Sequence, residues 1–183
     1  TNNLLESVYF IDTTTGYVVG DSGTILKTTN GGDIWNSQTA GITKEFESIY
    51  FIDTNTGYAV EYGGTIKKTT NGGANWSSQT TTGGLLSVYF LDINTGYTVG
   101  YSGTILKTTN GGTNWSSQIS GTTNELRSVY FLDMNTGYAV GYSGTILKTT
   151  NGGTNWTSQT SGTTNWLISV YFLDMNTGYA LAY

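Results

Sequence analysis

The sequence predicts an all-β fold of β-propeller blades, each of four antiparallel strands: four complete repeats followed by a two-strand half repeat. Three observations carry that prediction. Copies of one unit begin at Leu5, Phe46, Leu85, Leu126 and Leu167, and residues 85–125 and 126–166 are identical at 35 of 41 positions. Each copy holds short runs of β-branched and aromatic residues separated by Asn-Gly or Ser-Gly, the pattern of tight hairpins. No apolar period of about 3.6 residues runs long enough for a helix, and the absence of Pro suits sheets in which each residue donates to the ladder. A unit of this length cannot bury its apolar surface alone and must stack on its neighbours.

The fourth copy shows the elements in order. Ser128 to Leu132 is strand A, and Asp133 to Gly137 turns it. Tyr138 to Tyr142 is strand B, broken by Ser143-Gly144; Thr145 to Thr150 is strand C, turned by Asn151-Gly152-Gly153; Trp156 to Gln159 is strand D. The expected strands in the first copy lie near residues 7–12, 17–20, 24–29 and 35–38. The whole chain, 1–183, reads as a single repeat domain with blades 5–45, 46–84, 85–125 and 126–166 and a partial blade 167–183. Strand A is apolar on both parities, so both faces of its sheet should be covered. A parallel β-helix is the rival, and the hairpin turns within each repeat oppose it. Because the units run A–B–C–D four times and then A–B once, the expectation is no self-contained ring. Edge-to-edge association, an open arc or the rest of a longer chain would then cover the unpaired edge.

Charged residues make up only 10% of the chain, and 12 acids against 7 bases leave a net charge of −5. Nucleic acid, which calls for a basic stripe, is excluded as a partner. No apolar run approaches the roughly 20 residues of a membrane-spanning helix, so no membrane insertion is expected. The chain has no Cys and no His, which removes thiolate chemistry, disulfides, the commonest general base and the commonest transition-metal ligand. A Thr/Asn/Gly/Ser-rich, weakly acidic composition leads to the expectation of an extracellular or cell-surface protein.

The stretch from Gly137 to Trp156 closely resembles the blade signature of propellers similar to the photosystem II stability/assembly factor, and it is similar to the Asp-box (BNR) repeat of sialidases. Four copies of that hairpin end at Trp35, Trp76, Trp115 and Trp156, with Gly32, Gly73, Gly112 and Gly153 in the turns. Asn30, Asn71, Asn110 and Asn151 stand where the Asp-box has Asp; Asn can still cap the turn through its side-chain oxygen and tolerates positive φ. The resemblance covers essentially the whole chain and implies a structural hairpin staple. Likeness to sialidases would imply several arginines gripping a carboxylate, and likeness to the assembly factor an arginine-rich patch. This chain has one arginine, Arg127, so neither activity carries over.

Other motifs read as structure. Asp12, Asp53, Asp92, Asp133 and Asp174 open the A–B turns, and no closing Glu completes a calcium loop. Copies a blade apart make no catalytic pair either, so no catalytic residue, metal or cofactor is assigned. Lys27, Lys68, Lys107 and Lys148 recur on strand C and are expected to snorkel into solvent. The sequons at Asn75, Asn114 and Asn155 fall inside the hairpin motif. Glu61 and Lys67, unique to the second copy, are expected to form a cross-strand ion pair.

Antiparallel parity puts the A–B and C–D turns on one face and the B–C turns and D–A connectors on the other. Variation among copies collects on the second face. Tyr62, Tyr101 and Tyr142 sit in its B–C turns; Arg127 and Trp166 flank the connectors. These five residues form the candidate binding face, since Tyr, Trp and Arg are enriched in recognition surfaces. The functional expectation is a non-enzymatic binding or scaffolding propeller with a protein or glycan partner. The alternative is a carbohydrate-binding propeller or the accessory repeats of a larger glycan-active enzyme.

Overall fold

The structure is a computed structural model that describes residues 1–41 and 43–183. Its strands form five antiparallel sheets. The first holds β1 (Leu5–Phe10), β2 (Gly16–Gly20), β3 (Thr24–Thr28) and β4 (Asn36–Gln38). The second holds β5 (Phe46–Phe51), β6 (Gly57–Glu61), β7 (Thr65–Thr69) and β8 (Ser77–Thr80). The third holds β9 (Leu85–Phe90), β10 (Gly96–Gly100), β11 (Ile105–Thr108) and β12 (Ser116–Ser117). The fourth holds β13 (Leu126–Phe131), β14 (Gly137–Gly141), β15 (Ile146–Thr149) and β16 (Thr157–Gln159). The last is the hairpin β17 (Leu167–Phe172) and β18 (Gly178–Ala182). Strand order follows the chain in each sheet, and the A strands pack side by side in the sequence β1, β5, β9, β13, β17. This is a propeller arrangement. Among the described residues no helix is long and apolar enough to cross a membrane.

Strand A begins and ends two residues earlier than the pattern predicted. The reason is local: Ile11 N–H already bonds the Thr15 carbonyl at 2.9 Å, and the Asp12 carboxylate accepts from Thr14 and Thr15 N–H at 2.7 Å each. The same carboxylate-to-backbone pattern recurs at Asp53, Asp92, Asp133 and Asp174, as expected for structural turns.

The core lies between blades. Phe51 of β5 stacks on Tyr17 of β2 at 3.8 Å, Phe90 on Tyr58 at 3.9 Å and Phe131 on Tyr97 at 3.9 Å. The Asp-box Trp of the same blade meets each Phe edge-on, as Trp156 meets Phe131 at 5.9 Å and 87°. Such aromatic pairs add about 0.5–1.5 kcal/mol beyond their burial. Gly137 is required beneath Phe131, since a Cβ there would stand 2.5 Å from the ring.

The end sheets differ from the inner ones. Val8 and Phe10 are 60% and 42% exposed where Ile49 and Phe51 are 3% and 1% exposed. Tyr179 and Leu181 of β18 are likewise exposed where Tyr17 and Val19 are buried.

Candidate binding face

The expected division into two faces is visible in the backbone hydrogen bonds. On the turn face, Gly31, Gly72, Gly111 and Gly152 N–H donate to the carbonyls of Thr14, Asn55, Asn94 and Asn135, tying each C–D turn to the A–B turn of its own blade. On the connector face, Tyr62, Tyr101 and Tyr142 N–H donate to the carbonyls of Glu45, Gly84 and Glu125, tying each B–C turn to the incoming connector.

The Asp-box hairpins are closed by side-chain hydrogen bonds. Asn110 Oδ1 accepts from Asn114 N–H at 2.9 Å, and Thr108 Oγ1 accepts from Gly112 N–H at 2.9 Å. Asn30, Asn71 and Asn151 act alike. The lysines of strand C correct the sequence reading. Lys27, Lys68 and Lys107 do not snorkel into water: each Nζ donates to a glycine carbonyl in the next blade's C–D turn, Gly72, Gly111 and Gly152, at 2.6–2.9 Å. The hydroxyls of Tyr17, Tyr58 and Tyr97 donate to the same three carbonyls. Each ammonium also lies over its tyrosine ring, 5.3–5.5 Å from the centroid. A Lys–Tyr pair thus clips each blade to its successor.

The expected Glu61–Lys67 ion pair is not formed. The register sets Lys67 opposite Ala59 and Ser78, and its Nζ donates to Ser78 Oγ at 2.6 Å. Glu61 Oε1 instead accepts from Thr65 N–H at 3.1 Å and lies 3.9 Å from Lys44 Nζ. At the equivalent Gly141 a Cβ would meet the Glu125 carbonyl at 1.8 Å. The second blade accommodates Glu61 with a different B–C turn: Gly64 N–H closes on the Glu61 carbonyl at 3.0 Å, and no 3-10 turn like Tyr142–Gly144 forms there.

The five candidate residues fall into two groups on the connector face. Tyr142 is the centre of the first. Trp166 stacks on its ring at 4.1 Å and 14°, and Arg127 reaches its hydroxyl at 3.3 Å with the guanidinium 5.5 Å from the ring centroid. Tyr62 and Tyr101 form the second group, ring to ring at 5.1 Å. Glu125 joins the groups: it pairs with Arg127, while burial first, then the Glu125 charge and Tyr62, push the Tyr101 phenol above its ordinary value. Trp166 and Tyr62 are about half exposed.

Tyr183 was not singled out from the sequence, whereas Glu6, Glu47, Leu86, Arg127 and Ile168 stand out there as the strand A position that differs from copy to copy. Tyr183, one repeat after Tyr142, has its ring 6.5 Å from that of Trp166, and the repeat offset alone would have found it. A cavity of about 370 Å³ is lined by one residue from each A strand, Glu6, Glu47, Leu86, Arg127 and Ile168, with Tyr183. The carboxylates of Glu6, Asp21 and Glu45 gather within 4.8 Å of one another beside it. Burial, then Asp21 and Glu6, raises the Glu45 carboxyl. Burial, then the charges of Glu45 and Glu6, raises Glu47 to about 7.

A family model described as photosynthesis system II assembly factor YCF48 matches residues 1–80 and 79–160. No curated protein matches by sequence. Among solved structures, YCF48 bound to a D1 peptide is similar over all of this chain and 61% of its own, at 22% identity and a TM-score of 0.81. YCF48 from Cyanidioschyzon merolae is similar over 94% of this chain and 61% of its own, at 23% identity and a TM-score of 0.76. A GH74 enzyme from Niastella koreensis shares the fold over 93% of this chain but 34% of its own, at 17% identity and a TM-score of 0.77. The chain therefore spans about three fifths of the assembly-factor structures it matches.

Proposed function

The chain belongs to the family of the photosynthesis system II assembly factor YCF48, and on that premise we propose that it is a non-enzymatic propeller that binds or scaffolds a polypeptide partner. The observation that carries the reading is the Arg127–Tyr142–Trp166 stack on the connector face. There a guanidinium and two large rings are held in one geometry and left partly open to solvent. Such anchors lose little conformational freedom on binding and dominate interface energetics where a partner buries them. The structure of YCF48 bound to a D1 peptide supports a polypeptide as the class of partner. Arg127 is the one arginine in the chain, so the partner's identity does not carry over with the family. An extracellular or cell-surface location belongs to the same proposal and is supported by the Thr-, Asn-, Ser- and Gly-rich composition.

Chemistry supports a binder over a catalyst. The sequence has neither His nor Cys, and the aspartate of each A–B turn is engaged with backbone N–H groups. An array of capped synthetic peptides tests the proposal. Peptides captured by the chain should bind the Trp166→Ala, Arg127→Ala double variant about 30-fold more weakly. Capture that the double variant leaves intact removes this face from the proposal.

One observation favours a glycan instead. A groove of about 980 Å³ between the third and fourth connectors is lined by Ser120, Thr122, Asn124, Gln159 and Trp156, hydroxyls and amides without a charge. Binding on a glycan array, lost when Asn124 and Gln159 are replaced by Ala, would support that second reading; a blank array together with peptide capture would remove it.

A further inference from the structure

The connector face surrounds a cavity whose lining breaks the repeat. The second residue of each A strand points into it, and these five residues are Glu6, Glu47, Leu86, Arg127 and Ile168. Symmetry of the fold would permit five equal side chains; instead two neighbouring blades supply carboxylates, two supply apolar walls and one supplies the guanidinium. Its volume of about 370 Å³ lies at the lower end of ligand pockets, room for one long side chain or a small molecule.

The charges in this cavity are not balanced. Arg127 is already paired with Glu125 and bonded to the Tyr142 hydroxyl, so its charge is answered at the rim. Across the cavity Glu6 and Glu47 face each other's field, with Glu45 adding to it, and Glu47 is half-buried. Among the described residues neither Glu6 nor Glu47 forms an ion pair, and Arg127 is the one cation acting on Glu47. The remedy for a half-buried carboxylate, Glu47, beside the exposed Glu6 and above an apolar wall is a cation that arrives with its own methylene stem. The ammonium would meet Glu6 and Glu47 while the stem lies on Leu86 and Ile168, the way long cationic side chains divide between apolar and charged surroundings.

We propose that the axial cavity receives a lysine side chain of the polypeptide partner, its ammonium between Glu6 and Glu47, while the flanking partner residues rest on the tyrosine and tryptophan rim. This rests on the reading of the connector face as a peptide-binding surface and adds to it a chemical requirement on the partner. The Tyr142–Trp166 stack supplies contact area, and the cavity selects for charge. Glu47 then gives the site a pH dependence, because burial first, then the charges of Glu45 and Glu6, raise its carboxyl to about 7, with Arg127 opposing them and Glu125 adding to them. Below that pH the cavity loses one of its two charges, and affinity for the ammonium falls.

The probes are Nα-acetyl-lysine methylamide and its Nε-acetylated analogue, titrated into the chain and followed by amide NMR shifts. The lysine derivative should move the amides of Glu6, Glu47, Leu86 and Ile168, bind about tenfold more tightly than the uncharged analogue, and weaken as the pH is lowered below 7. The advantage should vanish in Glu6→Gln, Glu47→Gln, whose unchanged spectrum elsewhere verifies the fold. Equal binding of the two probes, shifts located elsewhere, no binding of either, or an advantage that survives the double variant would each overturn the inference. Capped peptides without any cation separate this result from the broader reading. If they bind and the Trp166→Ala, Arg127→Ala variant releases them while the lysine probe shows no preference, the axial lysine site is wrong and the face reading stands. If the lysine probe is preferred but peptides with and without lysine all fail to bind, the polypeptide partner is wrong and this inference falls with it.

Discussion

On the face made by the A–B and C–D turns, the polar groups of each blade answer one another or the next blade. Asp92 holds the Asn94 and Thr95 N–H groups at 2.7 Å each, Asn110 holds Asn114, and the Gly111 carbonyl takes hydrogens from both Tyr58 and Lys68 of the blade before. On the face made by the B–C turns and D–A connectors, backbone bonds fix the loops but leave the side chains to vary. Glu6, Glu47, Leu86, Arg127 and Ile168 occupy equivalent positions, as do Glu125 and Trp166. The repeated face holds the blades together, so a change there breaks bonds between units. The varied face carries fewer such bonds in its side chains, among them Asn124 to Tyr142 and Thr145 and Glu125 to Arg127, and they are not repeated in every copy, so the units can differ on it at less structural cost.

The connector face does have fixed points in its backbone, and breaking one should give the largest effect. A Cβ at Gly141 would stand 1.8 Å from the Glu125 carbonyl. Gly141→Ala should therefore cost about 3 kcal/mol, the upper part of the range for overpacking. Urea unfolding of the variant measures it. A loss below about 1 kcal/mol would mean that the connector yields easily, as it does around Glu61 in the second blade.

Next comes the clip on the opposite face. Tyr97→Phe with Lys107→Met removes both donors to the Gly152 carbonyl, which sits in a buried turn residue. The expected loss is about 1–3 kcal/mol, the cost of leaving a buried acceptor unpaired. Replacing Trp166 and Arg127 by Ala should by contrast cost less, about 1 kcal/mol, because it ends a partly exposed pair with Glu125 and a half-exposed stack on Tyr142. Equal losses from the two double variants would erase the distinction between the faces.

Acid should also act on the two faces with opposite sign. Backbone N–H groups hold Asp53, Asp133 and Asp174 below the usual carboxylate range, and bonds from the Thr14 backbone and hydroxyl and the Thr15 backbone bring Asp12 to about 2. Their folded values lie under the unfolded value of about 3.9, so their contribution is present above that pH and is lost as pH falls toward 2. Glu47 is raised to about 7 against an unfolded value of about 4.3, so its ionisation costs stability as pH rises from 4.3 to 7. Melting followed against pH should show a gain on acidification from 7 toward 4 that Glu47→Gln reduces, the raised Glu45 carboxyl supplying the remainder, then a loss below 4 that it leaves in place.

The sequence made the repeat legible because Asn110-Gly111-Gly112 and Asp92 act within a few residues of themselves, and such local turns leave a local signature. The inter-blade clip was not legible. Lys107 and the Gly152 carbonyl are 45 residues apart, and nothing near Lys107 marks it as a donor to the next blade. The Glu61–Lys67 pair failed for the same class of reason: adjoining strands do not state register, and Lys67 lies opposite Ala59. The gathering of Glu6, Asp21 and Glu45 draws on a strand, a turn and the following connector, so it too exists only in three dimensions. The rim was easier to see, because Tyr62, Tyr101 and Tyr142 share one repeat position and Arg127 and Trp166 interrupt two others.

The most direct test of whether the varied face is the binding face compares two double variants against the same peptides captured by the parent chain. One carries Trp166→Ala and Arg127→Ala; the other carries Ile93→Ala and Met134→Ala, which remove two of the turn face's exposed apolar side chains. The first should bind about 30-fold more weakly than the parent and the second as tightly as the parent. Loss of binding in the second variant with retention in the first would place recognition on the repeated face and contradict the division of labour between the two.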